Sequence, residues 1–345
     1  MLRLKPHLIL QALIVFANTY QLYAQTPNYA EALQKVVWFL ETQRDGRVSE
    51  GVKLPDGTVI PNRVNWRSDS YLSDGKAIKN DPYAPNGTPD LTGGLFDAGD
   101  PPKWSPGLAM AATMLSWGIV EYPAGYKSTG QLKYSKGNIK WLADYFLKCF
   151  SFDPNNPNDV SKYRIYIVVG GSSGGGSGVE KYQGKDLVPQ IVTFNEQNYL
   201  SCQHETIENT IFNMSDFPNY QRPVYYADKD APATSTVSKF SAALASASIV
   251  FRGDGSNAKD VEYANLLLER AKMLLNFSKT YLIKEAVGTA GVPAPATLKN
   301  KDGKIVDNGF AGGRWDSSIN KHRPGTDFAA NLCWSSLWIH QAELG

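Results

Sequence analysis

The sequence predicts an all-α fold, and three observations predict it. Segments with apolar residues at helical spacing alternate with segments that are apolar on nearly every face. Helix-start signals precede several of them, and strand-like runs are few, with RIYIVVG at 164–170 the clearest. Alternation of the two kinds suits a double layer of helices, one shielded and one facing water.

Taken in order, Thr26–Pro27 reads as a cap followed by proline at the first helical position. Behind it Ala30, Leu33, Val36, Val37 and Leu40 form one apolar stripe. Ser105–Pro106 repeats the start signal, and GLAMAATMLSWGIVEY after it is apolar nearly all round, as a helix buried on every side would be. Residues 137–150 are amphipathic through Ile139, Leu142, Ala143, Phe146 and Leu147. GGSSGGGSG at 170–178 is a flexible, low-complexity loop. STVSKFSAALASASIVF at 235–251 predicts a helix with small and apolar residues on most faces. Residues 258–281 predict an amphipathic one, with Val261, Ala264, Leu267, Leu268, Ala271 and Leu275 on one side. A connector bearing glycine and proline covers 286–326, and DFAANLCWSSLWIHQAEL closes the chain as a helix. Six to eight helices are expected in all.

At 345 residues, 42% apolar and 20% charged, the chain has the composition of a soluble globular protein. A net charge of +2 with no lysine or arginine run gives no footing for nucleic acid. Residues 1–25 have the layout of a secretory signal peptide: Arg3 and Lys5, an apolar run from Leu8 to Ala17, then polar residues to a cleavage point near Ala24 or Gln25. The run is shorter than the ~20 residues of a spanning helix, so the expectation is a secreted, extracellular protein with no membrane partner after cleavage. Cys149, Cys202 and Cys333 fit no zinc spacing and allow at most one disulfide. Sequons stand at Asn86, Asn213 and Asn276.

GGLFDAGDPPKW at 93–104 crowds Asp97 and Asp100 among glycines and prolines. Aspartate and glycine are turn formers, which is one sufficient reading. An EF-hand calcium loop is disfavoured, since its glycine and distant glutamate are missing. No metal and no cofactor is expected.

The surroundings add a second reading. RVNWRSDSYLSDG at 63–75 and DLTGGLFDAGDPPKWSPGLAMAATMLSWGIVEY at 90–122 resemble the WRGDS-type and DLxGGYYDAGD-type stretches of glycoside hydrolase family 9, the inverting endoglucanases. The segment 27–44 running into ETQRDG, RPVYYADKDAPATSTVSKFSAALASASIVF at 222–251, and the tryptophan-bearing helix at the end are similar to that family in the same order. The resemblance implies a catalytic domain over 26–345 and an (α/α)6 barrel of the six-hairpin glycosidase type, here incomplete. It implies an endo-β-1,4-glucanase acting on cellulose or related glucans, with Asp100 as general base and Asp97 helping to hold the water. Trp66, Arg67, Asp69 and Trp104 are the implied substrate-binding residues, with an Arg–Asp pair serving structure as the equal alternative.

The chain also departs from the family pattern. Pro101 and Pro102 stand between the DAGD motif and Lys103. The aspartate-histidine pair and tryptophan expected after RIYIVVG are replaced by GGSSGGGSGVEKYQG and an insertion to about residue 219, where Tyr182 is the candidate substitute ring. The family's substrate motif and glutamate acid are expected beyond the tryptophan-bearing helix. His322–Arg323–Pro324 comes too early to match that motif, and Glu343, expected to fray, is not nominated as the acid. The resemblance therefore implies a C-terminally truncated domain whose ring a partner chain would complete. The alternatives are a glucan-binding pseudoenzyme and, least favoured, an unrelated helical scaffold.

Overall fold

The computed structural model describes residues 27–67, 69–96, 102–170, 180–182, 185–187, 224–253, 255–282, 297–307, 314–316, 321–323 and 328–345. Among them are seven helices: α1 Tyr29–Thr42, α2 Ser105–Glu121, α3 Pro123–Ser128, α4 Leu132–Lys148, α5 Thr234–Arg252, α6 Ala258–Thr280 and α7 Phe328–Leu344. None is long and apolar enough to cross a membrane.

The core is organised around α5, which packs against α2, α4, α6 and α7. Its alanines and serines let neighbouring backbones come close, and buried hydroxyls are satisfied across the gaps. Ser241 Oγ donates to the Ala271 carbonyl at 2.7 Å, and Ser335 Oγ donates to Ser241 Oγ at 2.6 Å. The helix α6 starts on a capping box, in which Asn257 accepts from the Asp260 N–H and Asp260 accepts from the Asn257 N–H.

Three sequence expectations are corrected here. The first helix is capped by Asn28, whose Oδ1 accepts from the Glu31 N–H at 3.1 Å, and Pro27 lies outside it. Of its stripe, Val37 is buried while Ala30 and Val36 are exposed. The helix α2 is not buried on every side: Met110, Met114 and Trp117 form an exposed face, and Trp117 meets Trp334 and Trp338 of α7 edge-on at 5.7 and 6.1 Å.

The third correction concerns class. The chain is helix-rich but not all-α, because a six-stranded antiparallel sheet runs through it. Its strands are β1 Lys103–Trp104, β2 Phe150–Ser151, β3 Arg164–Val169, β4 Val224–Ala227, β5 Thr297–Lys299 and β6 Ile305–Asp307, in the order β6-β5-β4-β3-β1 with β2 also paired to β3. The predicted strand at 164–170 is its centre, buried on both faces as a continuous apolar run should be. Two of these strands, with Arg314–Asp316 and Lys321–Arg323, fall in the stretch expected to be a plain connector. Residues 1–26, most of the glycine loop, and 188–223 with Cys202 lie outside the described residues. Cys149 and Cys333 are free thiols, the first buried and the second exposed.

Candidate active site

The DAGD loop leaves and rejoins the described structure at Phe96 and Pro102, and both feet are clamped. On the near side, the segment after α1 pairs with the GGLF stretch. The Asp45 N–H donates to the Gly94 carbonyl at 3.0 Å, and the Phe96 N–H donates to the Gln43 carbonyl at 2.9 Å. Gly46 also receives the Ser70 N–H at 3.1 Å, so three segments distant in sequence stack side by side. They stack this closely because Gly46 has φ +92° and no Cβ; a Cβ would sit 2.7 Å from the Gly93 nitrogen. Trp141 Nε1 donates to the Gly94 carbonyl at 2.9 Å, and the Tyr145 ring lies flat against the same glycine.

On the far side stands Lys103, which β1 pairs with Val169 at the sheet edge. Its side chain is fully buried. Nζ lies 2.8 Å from Asp45 Oδ2 and 2.6 Å from Asp74 Oδ2, and it donates to the carbonyls of Leu91 at 2.6 Å and Gly93 at 2.9 Å. Asp45 Oδ1 accepts from Ser70 Oγ at 2.8 Å. Two charges out of water cost several kcal/mol each unless every donor and lone pair is met, and here oxygens surround the ammonium. The Tyr145 ring stands 4.9 Å from Nζ, and burial pushes its hydroxyl well above the usual tyrosine range. Burial likewise pushes the Cys149 thiol up to about 12.

Of the sequence-predicted site residues, Asp97, Asp100 and the first proline lie outside the described residues. Trp66 presents its ring to solvent, 54% exposed. Arg67 is buried, and its guanidinium donates to the carbonyls of Thr42 and, at 2.7 Å, Arg44, with the Phe96 ring 5.3 Å away. Burial pushes that guanidinium below its ordinary range, against the pull of Asp45. Asp69 Oδ1 accepts from the Ser49 N–H at 2.9 Å, so Arg67 and Asp69 hold separate parts of the loop instead of pairing with each other. Trp104 is buried beside Val168 in the sheet. Trp66 is thus the ring open to a ligand, while Arg67 and Trp104 support the feet. Glu343 is held in α7 and paired with Lys272 at 2.6 Å, which keeps its carboxyl below the usual range. Tyr182, His322 and Arg323 sit in short strands.

Sequence reasoning missed Asp45, Ser70 and Asp74, and took Lys103 for a landmark. The available signal was the lysine itself, set between proline and tryptophan where no solvated neighbour accounts for it.

The chain is 33% identical over 258 residues to Endoglucanase B of Cellulomonas fimi, covering 75% of this chain and 18% of that protein. It is 31% identical over 254 residues to Endoglucanase 16 of Arabidopsis thaliana, covering 74% of this chain and 39% of the relative. The fold is similar to that of an endoglucanase from the termite Nasutitermes takasagoensis, with a TM-score of 0.53 at 25% identity over 92% of this chain and 52% of the other. The chain spans under half the length of these curated relatives. The family model for glycosyl hydrolase family 9 matches residues 29–344, a span that contains the DAGD motif, both of its feet and the central helix, and the chain belongs to that family.

Proposed function

We propose that the protein hydrolyses internal β-1,4 bonds of cellulose or related β-glucans with inversion, after export directed by residues 1–25. The family match across residues 29–344 carries this reading, because Asp97 and Asp100 fall within it on a loop whose feet are clamped. The helices would belong to an (α/α)6 barrel of the family type.

Asp100 takes a proton from the attacking water while Asp97 orients that water. Two carboxylates sharing one water raise each other's pKa, which tunes the base. The acid partner of an inverting pair stands about 6.5–9.5 Å from the base, leaving room for the water between them. Glu343 is unsuited to that role, because its lysine partner favours the ionised form whereas an acid catalyst must arrive protonated. The exposed Trp66 ring offers a sugar face a stacking surface.

Reducing-sugar release from carboxymethyl-cellulose, with the anomer of the first product followed by NMR, tests the proposal. The expected outcome is an α-anomeric product and a loss of at least ~10²-fold in Asp100→Asn. Glucan binding without turnover in the unaltered protein would refute the hydrolase reading, and an Asp100→Asn variant of full activity would refute Asp100 as the base.

A further inference from the structure

We propose that a groove along the C-terminal half of α4 is a holding site for a strand of neutral β-glucan; the choice of glucan rests on the function proposed above. Two hollows make up the groove. One, of about 230 Å³, opens between α4 and the turn after α1, with Arg47, Glu50, Thr92 and Trp141 in its walls. The other, of about 320 Å³, is lined by Tyr83, Pro85, Pro89, Phe152 and Pro154. Asp90 and Lys148 line both, so the hollows run into one another. Neither Trp66 nor Arg67 lines either of them.

The chemistry of the walls selects the ligand class. Arg47 and Glu50, with side chains 57% and 69% exposed, face each other loosely at 4.0 Å. Lys148 Nζ donates to Asp90 Oδ2 at 3.1 Å and to Thr92 Oγ1 at 3.0 Å, which leaves one of its three donors over. The other two acids in the walls are already engaged. Asp144 accepts from the Tyr263 hydroxyl and the Lys140 ammonium, and Asp81 accepts from the hydroxyls of Tyr166 and Ser151. Two open cations against two open carboxylates exert no net pull on an ion, yet they offer a polyol fixed donors and acceptors. The second hollow adds carbon surface from its prolines, Tyr83 and Phe152. Phe150 holds the Phe152 ring at 5.0 Å, and the Arg270 guanidinium stands 4.7 Å from its centre. In the first hollow Trp141 has spent its indole N–H on the Gly94 carbonyl, so its ring also offers carbon. Walls held in place this way lose little freedom on binding. A pyranose has the matching pair of surfaces, an apolar face and a rim of hydroxyls, and an extended strand repeats them from one hollow to the next.

The test uses the full chain and two readouts, retardation in native gels containing neutral hydroxyethyl-cellulose and kcat/KM on cellotetraose, a short oligosaccharide that reports cleavage without the groove. The variants are Arg47→Ala combined with Glu50→Ala, and Tyr83→Ala. Each is expected to weaken retardation about tenfold, through lost charged hydrogen bonds in the first and a lost stacking ring in the second. Each should keep kcat/KM on cellotetraose within about twofold of the unaltered protein, since neither touches the loop. If Tyr83→Ala does not fold, the double variant decides, because both of its side chains are exposed. Retardation within twofold of the unaltered protein in a folded variant, an equal loss on cellotetraose, or equal retardation by α-linked dextran would each overturn the proposal. If the unaltered protein releases no sugar, the hydrolase reading fails, and the retardation comparison still decides whether the groove holds glucan.

Discussion

Gly46→Ala is the sharpest perturbation of the clamp, because it adds one methyl where three chain segments meet. Two costs arise. At φ +92° an alanine is strained by about 1–3 kcal/mol. Its Cβ would also stand 2.7 Å from the Gly93 nitrogen and 3.1 Å from the Gly93 Cα, both backbone atoms that cannot swing aside. Restoring ordinary contact parts the segments by about 0.7 Å, which stretches the bonds from Asp45 to Gly94 and from Ser70 to Gly46 beyond hydrogen-bond range. Each lost bond is worth about 0.5–1.5 kcal/mol, so strain and the two bonds together come to about 2–6 kcal/mol. Gly57 supplies the control, since its φ is +93° and nothing lies within 4 Å of the added Cβ. Gly57→Ala therefore measures strain alone. Followed by circular dichroism, Gly46→Ala should melt roughly 3–8 °C below the unaltered protein. Gly57→Ala should lose about half of that. Equal losses in the two variants would show that the backbone contact is not felt.

Two further outcomes follow from burial. Leu244→Ala empties a fully buried site in the middle of α5 and should destabilise by about 2–5 kcal/mol in urea unfolding; a loss under 1 kcal/mol would mean the helix is not the centre of the core. Iodoacetamide at pH 8 should modify Cys333 and leave Cys149 intact in peptide maps. The Cys149 thiol is raised to about 12 by burial, from about 9 when unfolded, so its share of stability is present below pH 9 and lost as pH rises through 12. Cys149→Ala should flatten that part of the stability profile, and an unchanged profile would count against the assignment.

Long periodic segments were legible in the sequence. The helix at 258–281 appears where its 3.6-residue repeat places it, because the repeat spans several turns, and the closing helix appears over the segment read as one. The sheet was legible only at 164–170. Its partners include two-residue strands such as Lys103–Trp104, too short to show alternation, and two of the three come from segments more than fifty residues away. The helix α2 shows a different limit. Its apolar sequence indicates a preference for contact on all sides, but which sides find a neighbour depends on the other helices. Met110, Met114 and Trp117 find little beyond the tryptophans of α7. At the N-terminus, proline at a first-turn position and asparagine at a cap were both available signals, and the asparagine's side-chain bond to Glu31 decided between them.

The site divides along similar lines. Asp97 and Asp100 could be singled out because the stretch around them resembles a family motif, whereas their local pattern alone reads equally as a turn. The lysine cluster could not be, because each of its aspartates has a sufficient local explanation. Asp45 precedes Gly46 and Asp74 precedes Gly75, and each dipeptide reads as a turn. The fold shows that both glycines do take positive φ, and that both aspartates reach the same ammonium. Lys103 is the member that carried a warning. An ammonium flanked by proline and tryptophan, followed by a largely apolar helix, either turns out to water or requires an anion inside. The sequence states that requirement and cannot name which of 33 acidic residues meets it, since the partners lie 58 and 29 residues away along the chain. A buried cation is therefore half of a contact prediction: its type and its need are local, and its partner belongs to the fold.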